Sequence, residues 1–348
     1  MKKFLILEII IFAIVLAVAI AVCSKLTQEP SVPAIADTAP ATTTAAPSTS
    51  ETTIPETTTE PGPTWMTFPA GRALTCQQYF VYDCNENRFL VLSGDENDER
   101  VYPASITKLA TALIALEHLQ PDTVVTADNV LDMVVWGSSV AGIQLGDSFT
   151  VEQLIEAMLL PSGNDAAYVL AAAAGREIAE DTPLDAATAV EIFMNAMNAR
   201  AWELGMTSSS FVNPDGIHSD SHYMSFADLA LLGKLCMNNP TIMKYANLPV
   251  GDNPNYTPPA DGETESTAED AQRQWKNTNA LIHPENKYYC PYAVGLKTGQ
   301  TPSAGSCLLS AFDYEGKKLI IGVFGCPEQN DRFPDTLQLF NQAIGLQA

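Results

Sequence analysis

No Cys-x-x-Cys pair occurs in this 348-residue chain, and its four histidines, His118, His218, His222 and His283, follow no motif. That spacing excludes the usual structural zinc sites, so no metal ion is expected and the histidines read as structural or surface residues. Basic side chains are scarce: 18 Lys and Arg stand against 41 Asp and Glu, a net charge of −23. Nucleic acid and anionic lipid both need basic patches, so neither is expected as a partner. Cys76 and Cys84 are neighbours in sequence. Read on one strand at about 3.3 Å per residue they stand roughly 26 Å apart, too far to bridge, and no essential disulfide framework is expected.

Large apolar side chains are almost missing from residues 26–64, which are Thr, Ala, Pro, Ser and Glu. Such a segment cannot bury enough surface to offset its ordering entropy. It reads as a disordered, semi-stiff stalk, reaching on the order of 100 Å when extended. Before it lies the one long apolar run, Phe4–Cys23, broken only by Glu8. Its length suits a transmembrane helix, and Lys2 and Lys3 ahead of it place the rest of the chain outside the cytoplasm. A retained signal anchor (residues 1–25), a signal peptide cleaved near Ala19-Ile20-Ala21 and a lipoprotein signal ending at Cys23 all export the chain. The anchor is favoured. Residues 65–348 then form the folded domain.

The 46% hydrophobic content is ample for its core. Segments 76–82 and 89–92 read as strands joined through Asn85-Glu86-Asn87. Helices follow: one from Pro103 through Glu117, Val151–Leu160 with Thr150 as N-cap, Ala166–Ala174, Leu184–Leu204 and Phe226–Met237 capped by Ser225. Residues 250–273 are acidic and weakly apolar, and read as a surface insertion. Tyr292–Lys297, Gly305–Phe312 and Leu319–Phe324 read as strands, the last two a hairpin, before a closing helix at about Pro334–Ile344. Strands at both ends and helices between them imply an α+β fold. The final apolar helix needs a sheet face to cover, which favours one antiparallel sheet built from both ends.

Ser105 and Lys108 lie three apart at a helix start, so they share one face. A serine beside a lysine is the minimal kit for a nucleophile with an amine base. Taken alone the spacing is common on solvated helices. Two further elements match it: Ser162-Gly163-Asn164 in a break between helices, and Lys297-Thr298-Gly299 at the end of an apolar strand. Together they form the Ser-x-x-Lys, Ser-x-Asn and Lys-Thr-Gly set of penicillin-binding proteins and class A β-lactamases.

With these residues the chain resembles the serine-type D-alanyl-D-alanine carboxypeptidases of peptidase family S11, the low-molecular-mass penicillin-binding proteins. The likeness runs over about residues 70–346. It includes Leu159-Leu160-Pro161-Ser162-Gly163-Asn164-Asp165, Phe193-Met194-Asn195 through Leu204-Gly205-Met206, Asn277-Thr278-Asn279 and Val294-Gly295-Leu296-Lys297. The resemblance implies a largely antiparallel sheet covered by helices, with an inserted all-α subdomain. It implies removal of the terminal D-Ala from peptidoglycan stem peptides ending in D-Ala-D-Ala, through an acyl-enzyme on Ser105, without a cofactor and with covalent inhibition by β-lactams. Lys108 is the expected base, with its pKa lowered by desolvation and by Lys297 nearby. Lys297 and Thr298 are expected to grip the substrate carboxylate, and Gly299 to let an extended peptide lie against the strand. The resemblance assigns the oxyanion hole to the N–H groups of Ser105 and Gln300, proton relay to Ser162, and positioning of Lys108 and substrate to Asn164. Asp165 reads as a helix N-terminal charge.

Two other functions are weighed against this one. A class A β-lactamase needs a loop Glu in a Glu-x-x-x-Asn pattern. Glu191 and Asn195 supply the spacing, but inside a predicted helix, so the match is taken as accidental. A non-catalytic wall-binding or β-lactam-sensing module would not need the full set of catalytic residues, and none is missing. The family often carries a β-rich domain and an amphipathic anchor after the catalytic domain. The sequence ends at Ala348 without them, which strengthens the expectation that the N-terminal run is the tether and that the catalytic domain faces the cell wall outside a bacterial membrane, or is secreted if the signal is cleaved.

Overall fold

The computed structural model describes residues 72–255 and 274–345. The apolar run Phe4–Cys23, the Thr/Pro-rich segment 26–64 and most of the acidic 250–273 stretch lie outside the described residues. Among the described residues no helix is long and apolar enough to cross a membrane.

Strands β1 (Gln78–Asp83) and β2 (Arg88–Leu92) form the first hairpin. Cys76 and Cys84 therefore flank β1 and do not lie within it. A two-residue strand, β3 (Arg100–Val101), leads into a 3-10 turn at Ala104–Ile106 and helix α1 (Thr107–His118). Next come β4 (Val124–Thr126), β5 (Ser148–Thr150), α2 (Val151–Leu159), α3 (Asn164–Ala179) and α4 (Ala186–Glu203). Thr150 and Gln153 make a reciprocal capping box at the start of α2, as the Thr150 N-cap reading requires. After β6 (Met224–Ser225), helix α5 (Phe226–Met237) starts on the Ser225 cap. Helix α6 (Pro240–Ala246), with Pro at its start and Asn239 as cap, was not legible as a separate element. Strands β7 (Val250–Asp252) and β8 (Gln274–Lys276) pair with each other, so the two ends of the presumed insertion form a hairpin stem. The chain closes with β9 (Ala293–Thr301), β10 (Gly305–Tyr314), β11 (Lys317–Cys326) and α7 (Arg332–Ala343).

The two ends meet in one five-stranded antiparallel sheet, ordered β2-β1-β11-β10-β9. Successive side chains of a strand face opposite sides, and β1 shows the consequence. Phe80 packs with Phe226 of α5 and Phe324 on one face. Val81, next in the chain, belongs to a second core on the other face with Phe312 and Phe340 of α7. The Phe312 and Phe340 rings stack with centroids 4.3 Å apart. With helices on both faces, β9, β10 and β11 are buried almost throughout. The fold is α+β, and β9 stands at a sheet edge.

Candidate active site

Ser105 sits in the 3-10 turn just before α1, and Lys108 in the first turn of that helix. The turn is unusually fixed. Ala104 holds a positive φ of 48°, and its carbonyl accepts from the Thr107 hydroxyl at 2.8 Å. Gly216 leaves room for that carbonyl, since a Cβ there would stand 1.9 Å from the Ala104 oxygen. The Thr107 oxygen in turn lies 2.8 Å from His222 Nε2. His222 Nδ1 accepts from the Val212 N–H, which places the imidazole proton on Nε2, facing Thr107. Burial pushes the His222 pKa down to about 4, with His218 and Lys108 adding to it, so the ring is neutral. His222 is a structural residue, as its lack of a motif suggested, and it braces the nucleophile's turn.

Lys108 is fully buried. Its Nζ lies 2.9 Å from Ser105 Oγ, 2.6 Å from Asn164 Oδ1 and 2.7 Å from the Asp215 carbonyl oxygen. Burial pulls its pKa down to about 8, against the opposing pull of the Asp215 and Asp165 carboxylates. Desolvation is thus the leading cause, as expected. Lys297 is likewise held well below the usual lysine range, by burial first and then by Lys108 and Arg332. The three partners of Lys108 also fix its chemistry. A neutral amine has two N–H bonds and one lone pair. Asn164 Oδ1 and the Asp215 carbonyl can only accept, so they take both N–H bonds. The lone pair is left facing the Ser105 hydroxyl.

Ser162 lies between α2 and α3 with a φ of 67°, in the left-handed region that a side chain rarely adopts. It is buried, and among the described residues its hydroxyl makes no hydrogen bond. Asn164 begins α3, and its own N–H donates to the Ser139 carbonyl at 2.8 Å. Asp165 has a larger task than a helix-end charge. Its Oδ1 accepts from the Ala141 and Ala166 N–H groups and its Oδ2 from those of Gly142 and Ile143. It thereby ties the 139–143 loop to the start of α3.

On the opposite side stands β9. Lys297 is buried, its Nζ donating to the Thr298 carbonyl at 3.2 Å. The Thr298 hydroxyl lies 2.5 Å from that of Thr278. Gly299 passes close under the nucleophile's turn: a Cβ there would stand 2.7 Å from the Pro103 carbonyl and 3.2 Å from Ser105 N. Only glycine fits. Arg332, at the start of α7, donates to the Gly299 carbonyl at 3.1 Å and holds β9 from beneath. Gln300 is exposed on the same edge. Hydrogen bonds thus join Ser105, Lys108 and Asn164, and Gly299 brings the Lys297-Thr298-Gly299 strand against the Ser105 turn, while Ser162 is placed beside them by its position two residues before Asn164. Asp215, Thr278, His222 and Arg332 were not assigned roles from the sequence, since each acts through tertiary contacts that no spacing announces. Glu191 and Asn195 are exposed on α4, inside a regular helix, and offer no loop carboxylate.

This fold is that of the serine DD-peptidases. The K15 DD-transpeptidase of Streptomyces superposes with a TM-score of 0.67 at 28% identity, covering 79% of this chain and 99% of that one. DacD of Francisella tularensis, a D-alanyl-D-alanine carboxypeptidase, shares the fold with a TM-score of 0.61 at 23% identity, over 80% of this chain and 72% of that one. The chain belongs to the D-alanyl-D-alanine carboxypeptidase family, Peptidase S11, whose sequence model matches residues 66–328. Among curated relatives, the D-alanyl-D-alanine carboxypeptidase of Streptomyces sp. K15 is 31% identical over 76% of this chain and 86% of its own length. DacF of Bacillus subtilis is also 31% identical, over 73% of this chain, but the match spans only 59% of DacF.

Proposed function

We propose that this protein is a serine D-alanyl-D-alanine carboxypeptidase acting on peptidoglycan stem peptides. The observation that carries the reading is Lys108: a buried amine whose hydrogen-bond partners among the described residues are two acceptors and the Ser105 hydroxyl. Lys108 takes the Ser105 proton as Oγ attacks the carbonyl of the penultimate D-Ala. The backbone N–H groups of Ser105 and Gln300 receive the developing oxyanion, a role supported by the close passage of β9 beneath the serine turn. Ser162 passes the proton to the departing D-Ala amine, while Asn164 orients Lys108. Water then releases the shortened peptide from Ser105.

Lys297 and Thr298 hold the terminal carboxylate, and the free edge of β9 accepts the extended peptide as an added strand. An incoming carboxylate favours the charged form of Lys297, opposing the burial that lowers its pKa. β-Lactams enter the same site and acylate Ser105. Residues 65–348 form the catalytic domain. The run Phe4–Cys23 tethers it to the membrane through the 26–64 stalk, facing the cell wall, a placement supported by the sequence pattern and by the family's work on the wall.

The test is release of D-Ala from a pentapeptide ending in D-Ala-D-Ala, paired with covalent labelling by a fluorescent penicillin. The wild type does both, and Ser105→Ala does neither. A wild-type protein that releases no D-Ala and takes no label overturns the proposal. The name DD-transpeptidase attached to the K15 structure supports a second reading, in which an amine replaces water as acceptor. Adding D-amino acids or diamines to the assay distinguishes them, because a transpeptidase gives the exchanged peptide as its main product.

A further inference from the structure

The two thiols of Cys76 and Cys326 meet at the end of the central sheet, outside the catalytic site. Cys76 lies two residues before Gln78 at the start of β1, and Cys326 lies two residues after Phe324 at the end of β11. Gln78 and Phe324 are the last cross-strand partners, and β11 turns at Gly325 with a φ of 69°, so the cysteines come together where the regular pairing ends. A bond outside the regular ladder, from the Gln77 N–H to the Phe324 carbonyl at 3.0 Å, holds the two segments together there. Both thiols are buried, and their Sγ atoms lie within 4.8 Å of each other and of an Asp335 carboxylate oxygen.

We propose that Cys76 and Cys326 form a disulfide in the mature protein, clamping the entry of the first sheet strand to the exit of the last. Each thiol gives up its proton, and the pair gives two electrons to an external disulfide of the glutathione or thiol-oxidase class. That oxidant leaves as two thiols, and one S–S bond forms here.

A divalent metal is the competing occupant, because two thiolates and a carboxylate suit soft or borderline ions. Asp335 argues against it. Its Oδ2 already accepts from the Thr75 N–H, the Thr75 hydroxyl and the Cys76 N–H, each at 2.8 Å, and its Oδ1 pairs with Arg72 at 2.6 Å. A metal would have to displace the arginine. The other described cysteines give a contrast: Cys84, Cys236, Cys290 and Cys307 belong to no such cluster. Hydrogen bonding to Cys326, then burial and the Asp335 charge, push the Cys76 thiol up, so it is a poor nucleophile once the fold is complete. The bond therefore forms as the strands pair, and the folded, reduced protein oxidises slowly.

The experiment uses the full chain exported by a bacterial host and purified without reductant. It is denatured, alkylated and digested with trypsin. The expected product is residues 73–88 linked to residues 319–332, with fragmentation placing the bridge on Cys76 and not Cys84. Adding reductant releases both peptides and lowers the melting temperature by roughly 5–10 °C, as opening a loop of this length requires. The double variant Cys76→Ala/Cys326→Ala gives no linked peptide, and its melting temperature does not respond to reductant. Alkylation of both cysteines in protein refolded with glutathione disulfide overturns the proposal. So does stoichiometric zinc that shields both thiols. The mapping is done on the wild type, so it stands even if the variant does not fold, and neither readout depends on peptidase activity.

Discussion

A lysine without water around it holds its proton weakly, and Lys108 shows how much chemistry follows. Its amine works when neutral, and its pKa lies at about 8. Acylation of Ser105 by penicillin is therefore expected to rise about tenfold per pH unit up to roughly pH 8 and then level off. Stopped-flow labelling between pH 5 and pH 10 measures this. A rate flat across that range would remove Lys108 as the base. Lys108→Arg is the companion test. A guanidinium stays protonated and its planar fork does not match the three partners of Nζ, so acylation falls by at least about 10³-fold while the fold remains. At this scale the sequence marked Ser105, Lys108 and Asn164, which the fold brings within hydrogen-bond reach of one another. Burial, one of the two causes expected, leads in lowering Lys108, and burial leads for Lys297 as well.

Elements meet at two close crossings, and each predicts the effect of a small change. Gly299 of β9 lies under the serine turn with no room for a methyl group. Gly299→Ala is expected to push β9 from the turn, cost about 1–3 kcal/mol of stability and slow acylation at least tenfold. Thermal melting and penicillin labelling read the two effects separately. Asp165 joins the 139–143 loop to α3 through four backbone N–H groups. Asp165→Ala strands donors that are buried or partly buried, and is expected to cost about 2–4 kcal/mol in urea unfolding. It also frees Asn164 to drift from Lys108, so acylation slows even in the molecules that remain folded. Caps and periodicity made α2 and α5 legible to within a residue. They could not reveal β3, β4 or β6, because a strand of two or three residues has no period to read and exists only through its partner.

Across the whole molecule the sheet is closed by residues far apart in the chain. Asp335 of α7 receives the backbone of Thr75 and Cys76 and the guanidinium of Arg72. Asp335→Ala leaves those groups unpaired at the point where the chain enters the sheet. We expect a loss of about 3 kcal/mol, seen as a lower urea midpoint, with pH dependence of acylation unchanged because the catalytic amine is untouched. A shifted acylation profile in this variant would show that the seam reaches the active site.

Local chemistry written along the chain was enough to determine several things. Three short motifs marked the residues proposed here as nucleophile, base and carboxylate grip. Helical and strand periods carried most of the elements, and an apolar final helix required a sheet to cover. The tertiary structure alone decided the rest. It buries Lys108 and so lowers its pKa, supplies the Asp215 carbonyl and the His222 brace, and brings Cys76 opposite Cys326 across 250 residues. The division has one physical cause. Periodicity and spacing record contacts within a turn or two of chain, whereas desolvation and cross-strand approach depend on segments that meet only after the chain has folded.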